Sequence, residues 1–281
     1  MVLTVNEEYN GFLDSFLLWE IAEESWFSDI PLFPLRELIT ECKSLNPNTF
    51  TIQLHPNEVL GKRAECFFEY CLIQSKYYKV IAKNIQVFSN KTTIGELDFL
   101  LLEKTHKSII HVEMVYKFYL YDPNFDHELS RWIGPNRKDT LLQKLDKLHQ
   151  KQFPLINTPE AAITLNELGI APSDITQQIC FIAHLFIPLS LRNIRLPKIN
   201  PLCIKGFWLT IEEFKDETYL NYNYYMPTKR YWGVAPKKCT TWFSYDKIIK
   251  EVHSQLSKKK SPLLWVKVSE DLYETVFIVW W

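Results

Sequence analysis

Two runs of strand-forming residues, 93–102 and 108–120, flank the polar pentapeptide Glu103-Lys-Thr-His-Lys107. β-Branched and aromatic residues in alternation around a short polar turn specify a hairpin. If the loop spans 103–108, Asp98 stands directly opposite Glu113. Alternation predicts that Leu97, Phe99, Leu101, Val112, Met114, Tyr116 and Phe118 form one apolar face. The other gathers Ile94, Glu96, Asp98, Leu100 and Leu102 with His111, Glu113, Val115, Lys117 and Tyr119.

That pairing has a chemical consequence. Cross-strand neighbours have Cβ atoms about 4.5–5.5 Å apart. Two carboxylates that close repel unless a cation or a shared proton lies between them. A divalent metal meets the need, because Mg²⁺ takes one or two carboxylates plus water and phosphate oxygens. Lys117 falls on the same face, suited to hold an attacking water or to offset charge on a phosphate. The alternative is a structural ion-pair cluster on an exposed sheet face, which contributes little to stability.

The flanking sequence supplies a frame. Leu60, Ala64, Phe67 and Cys71 mark a helical stripe over 57–75, widened by Phe68 and Leu72. Glu65 falls at the edge of that apolar arc. Helices are expected over 6–25 and 34–43, with a loop and a short strand over 47–57. A strand follows at 80–88. Residues 138–152 form a basic amphipathic helix with Leu141, Leu142, Leu145 and Leu148 inward. A helix over 159–168 and strands at 178–189 and 203–209 come next. Thr210-x-x-Glu213 reads as a capping box. Helix 245–256 and strands 263–268 and 273–281 finish the chain. This order predicts an α/β protein with a mixed sheet, and a soft boundary at 190–202, where Pro188, Pro197 and Pro201 cluster.

Composition excludes several functions. The 281 residues hold seven glycines, each isolated, against roughly 20 at average usage. Neither a dinucleotide fingerprint nor a P-loop can be written with that spacing. Any phosphate must therefore be held by metal and side chains. The six cysteines show no C-x-x-C pair and the seven histidines no zinc spacing. Free thiols, the absence of a signal-peptide pattern and the absence of an apolar run of membrane-spanning length predict a cytoplasmic protein without a membrane partner. A net charge of −1 means that nucleic-acid contact requires a local basic patch.

Gly61-Lys-Arg-Ala-Glu65, Asn84-x-Gln86, Gly95-Glu-Leu-Asp98 and His111-Val-Glu113 together resemble the core of the PD-(D/E)xK nuclease superfamily. The resemblance implies a restriction-endonuclease-like mixed sheet core flanked by helices. It divides the chain into an N-terminal helical extension (1–56), the core (57–190) and a C-terminal α+β extension packed on it (191–281). It implies metal-dependent hydrolysis of phosphodiester bonds in DNA or RNA, with Glu65, Asp98 and Glu113 around Mg²⁺ or Mn²⁺ and a lysine orienting water. A longer match, including Thr93–Phe99, Glu113–Leu120 and Trp132-Ile-Gly-Pro-Asn-Arg-Lys-Asp139, is similar to a bacterial family known only as domain of unknown function 1853.

One departure matters. The superfamily lysine follows its acid by two residues, whereas Lys117 lies about 13 Å along the strand from Glu113, at ~3.3 Å per residue. A bulge or the long side chain closes that gap, or Lys138 or Lys144 takes the role, or the chemistry is lost. The last case leaves a nuclease-fold protein that binds nucleic acid or a protein partner without cleaving. Arg131, Arg137, Lys138, Gln143 and Lys144 are the expected nucleic-acid contacts, in a segment where bases outnumber acids. Trp132 is expected either to stack on a base or to anchor its loop, and His111 either to support Glu113 or to lie on the surface. Trp280-Trp281 is compatible with docking between protomers of a homo-oligomer.

Overall fold

The computed structural model describes residues 3–19, 29–44, 52, 54–192, 196 and 198–281. Among the described residues, nine strands form one mixed sheet: β1 (Tyr78–Ser89), β2 (Thr92–Glu103), β3 (Ser108–Tyr121), β4 (Trp132–Ile133), β5 (Ile175–Pro188), β6 (Ile204–Thr210), β7 (Asn223–Tyr225), β8 (Leu263–Lys267) and β9 (Tyr273–Val279). Their order is β1-β2-β3-β5-β6-β9-β8-β7, with β4 paired to β3. The β1-β2-β3 meander is antiparallel, and β3, β5, β6 and β9 run parallel. The sheet thus continues unbroken across the proline-rich stretch 190–202, and the C-terminal strands lengthen it.

Helices cover both faces. Leu60–Gln74 packs Phe67, Phe68, Cys71 and Leu72 against Phe99, Val112 and Met114. Val5–Leu13 and Leu35–Lys43 join it there. The first stops at Leu13 and is followed by a bridge from Leu17 to Ile182, so the helix expected over 6–25 is shorter. Residues 20–25 of that expectation, and 47–51 and 53 of the expected loop, lie outside the described residues. On the opposite face, Leu141–Lys147 runs into a π-helical segment, Leu148–Gln152, and then Phe153–Leu155. Leu141, Leu145 and Leu148 of this continuous rod pack on Val115, Tyr119 and Phe181. Pro159–Glu167 covers the outer strands. Tyr245–Leu256 packs on the C-terminal strands. No described helix is long and apolar enough to cross a membrane.

The hairpin register is the expected one from Phe99↔Val112 to Glu103↔Ser108. The ladder stops at Phe99, one residue before Asp98. On the other side, β1 pairs Lys83 with Phe99 and Ile85 with Leu97, leaving Asn84 and Asp98 unbridged. Asn84 has φ 49°, a left-handed conformation that asparagine tolerates better than most residues. Both strands turn over here. Phe99 meets Phe68, and Lys83 pairs with Glu69, on the 60–74 helix. Ile85 and Leu97 pack with Ala161 and Leu165. The expected single face for Leu97, Phe99 and Leu101 is therefore split at Asp98, because the Asn84 backbone reverses the alternation.

The second face also differs from its expectation as an exposed alternative. His111 and Glu113 are fully buried, because the 141–155 rod lies over them. Elsewhere Gly206 lets β6 approach β9. An alanine Cβ there would lie 1.9 Å from the Thr275 carbonyl oxygen, a backbone atom that cannot step aside. Gly206→Ala is expected to cost about 3 kcal/mol, the upper end of ordinary overpacking. Urea denaturation checks this, and a loss under about 1 kcal/mol would mean that the ladder yields.

Candidate active site

The turnover at Asn84 and Asp98 places an acid where a ladder bond would otherwise be. The Asp98 carboxylate accepts the Met114 backbone N–H at 2.9 Å. Burial raises its pKa to about 7, the nearby Glu113 carboxylate adds to the rise, and the Met114 N–H opposes it. The two acids predicted to face each other thus do sense each other electrostatically.

Glu113 is held at both oxygens. Its Oε1 lies 3.1 Å from His111 Nε2, and its Oε2 accepts from Gln152 Nε2. Gln152 Oε1 in turn accepts from Lys144 Nζ at 2.9 Å. Lys144 therefore reaches the site through its own helix. Burial pushes its pKa down to about 8, against the pull of the Glu113 and Asp98 carboxylates.

The π segment explains how Lys144 and Gln152 meet. Residues eight apart on an α-helix are rotated by about 80° from each other, at about 100° per residue. A π turn absorbs one extra residue. Gln152 then stands as if seven residues on, within about 20° of Lys144. A regular-helix reading of 138–152 does not bring Gln152 to the site. The only sequence signal is the Pro154 that follows, which has no N–H to give to the preceding turn.

The remaining residues divide. Glu65 is bound by Lys62 at 2.7 Å, and the same ammonium reaches Glu96 and Asn84 at 3.2 Å each. Burial raises the Glu65 pKa, and Lys62 opposes that rise. Lys117 pairs with Asp139 at 2.7 Å. Arg131 is tied to the Phe125 carbonyl and the Tyr121 hydroxyl, and Arg137 to Asp122 and the Trp281 ring. Gln143 closes the capping box with Thr140. Lys138 is exposed. Trp132 is fully buried against Tyr121, as a core anchor.

Two carboxylates, a half-buried ammonium and aligned amides are suited to hold a hard cation and an anionic oxygen together. Among the described residues, no group of three or more His, Cys, Asp or Glu is gathered for a metal. Asp98 and Glu113 are a sufficient donor set for Mg²⁺ when substrate and water complete it. The part of the Asp98 rise that Glu113 adds to that of burial is what a bound cation would relieve.

Domain of unknown function (DUF1853) is the family that matches, over residues 33–277, and the chain belongs to it. No curated protein and no solved structure matches.

Proposed function

We propose that this member of the family is a metal-dependent nuclease, hydrolysing phosphodiester bonds in DNA or RNA, with a restriction-endonuclease-like core. The observation that carries the reading is the half-buried Lys144 ammonium, joined through Gln152 to the Glu113 carboxylate. The element order helix 60–74, β1, β2, β3, helix 141–155 and parallel β5 supports it.

Asp98 and Glu113 would hold the Mg²⁺ or Mn²⁺, which when bound polarises the phosphate and lowers the pKa of its water. Lys144 takes the role expected of a strand lysine, orienting the water or offsetting phosphate charge. Gln152 keeps the ammonium and the Glu113 carboxylate in fixed relation. Burial under the 141–155 rod lowers the local dielectric, which strengthens each of these interactions. Glu65 acts from further out, through its ion pair with Lys62.

A second reading, a nuclease-fold protein that binds without cleaving, draws on the same Glu65–Lys62 pair, since Glu65 is already satisfied. Cleavage separates the two. With Mn²⁺ and plasmid or structured RNA, Asp98→Ala is expected to abolish turnover. Equal cleavage by wild type and variant would remove the nuclease reading.

A further inference from the structure

The hydrogen bonds around Glu113 specify where the protons lie. Lys144 Nζ can only donate, so the Gln152 atom 2.9 Å from it is the amide oxygen. The Gln152 NH₂ therefore points at Glu113 Oε2. The same logic runs from the other side. Gln177 Nε2 lies 3.0 Å from the Phe153 carbonyl oxygen, which can only accept. That atom is therefore the NH₂ of Gln177, and its second hydrogen faces His111 Nδ1 at 3.1 Å. Nδ1 must accept, so the ring proton of His111 sits on Nε2, where it donates to Glu113 Oε1 at 3.1 Å.

We propose that His111, set by Gln177 and the Phe153 carbonyl, is a positioning residue that holds Glu113 in one orientation by donating from Nε2. Gln152 holds the other oxygen. Glu113 and His111 are both fully buried, so water does not compete for these bonds. The two arms of this hydrogen-bond network converge on neighbouring residues. Gln152 and Phe153 adjoin at the end of the π segment, so one short stretch of backbone fixes both amides. Its effect on cleavage rests on the nuclease reading of Glu113, but the placement of the ring proton does not.

The test starts on wild-type protein. Histidine ¹⁵N NMR at neutral pH is expected to find His111 protonated at Nε2 and bare at Nδ1. A proton on Nδ1, or on both nitrogens, overturns the proposal. Gln177→Glu then keeps the size but turns the donor toward Nδ1 into an acceptor. With carboxylates facing both nitrogens, the ring is expected to take a second proton on Nδ1, and Mn²⁺ binding, read by calorimetry, to weaken by about 10–100-fold. Gln177→Glu with the proton still on Nε2 alone and unchanged Mn²⁺ affinity overturns the positioning role. If wild type holds the proton on Nε2 but binds no Mn²⁺, the positioning geometry stands and the nuclease reading falls.

Discussion

Lys144→Met is expected to lower metal-dependent cleavage by about 10²–10³-fold, the usual cost of losing one preorganised donor to developing charge. Lys117→Met is expected to cost less than about tenfold. The contrast follows from their settings. Lys144 is half-buried and joined to Glu113 through Gln152. Lys117 is paired with Asp139, and both side chains are over a third exposed, where an ion pair is weak. Single-turnover rates at saturating Mn²⁺ measure the difference without interference from product release. A large loss in Lys117→Met with little in Lys144→Met would reverse the assignment. The dependence on Lys144 should also fade above about pH 8, where burial strips its proton.

The second large effect is on stability. In metal-free buffer, Asp98→Asn is expected to be more stable than wild type at pH 8, by on the order of 2–4 kcal/mol. The Asp98 pKa rises from 3.8 unfolded to about 7 folded. Between those values the folded chain keeps a proton that the unfolded chain releases. Wild-type stability therefore falls as pH rises from about 4 to 7, and above 7 the whole cost of a buried carboxylate is present. Asparagine carries no charge to bury and can still accept the Met114 N–H. The gap should nearly close at pH 4. Urea titrations at both pH values, in chelator, check the sign, and a gap independent of pH would rule out Asp98 as its source.

Much of this geometry was legible from residue order. The hairpin register from Phe99 to Glu103 followed from loop length and alternation, but the ladder stops short of Asp98, whose carboxylate takes the Met114 N–H instead. The capping box at Thr210 and Glu213 forms as the spacing requires. What alternation could not carry was the inversion at Asn84, since one left-handed residue reverses every inference drawn past it. Burial of Glu113 was equally hidden. A strand shows its polar residues, but not whether a helix far along the chain will cover them. Lys144 was among the candidates because its helix is amphipathic. Gln152 was not, because periodicity assumes a constant pitch. Gln177 carried no signal, since one glutamine on a strand resembles any other. The single sheet spanning β5 to β9 was also invisible, because parallel pairing leaves no turn to read.

The π segment makes the site forgiving of one change and exposed to its opposite. A chain that lost one residue within 148–151 could return to ordinary helical pitch, and the glutamine would then stand seven residues beyond Lys144, within about 20° of it. Leu155 would keep the space that Gly95 leaves for it. A chain that gained a residue there, with no further π turn to absorb it, would turn everything beyond by about 100°. A lineage could thus silence the site while keeping its fold, by an insertion too small for the architecture to notice.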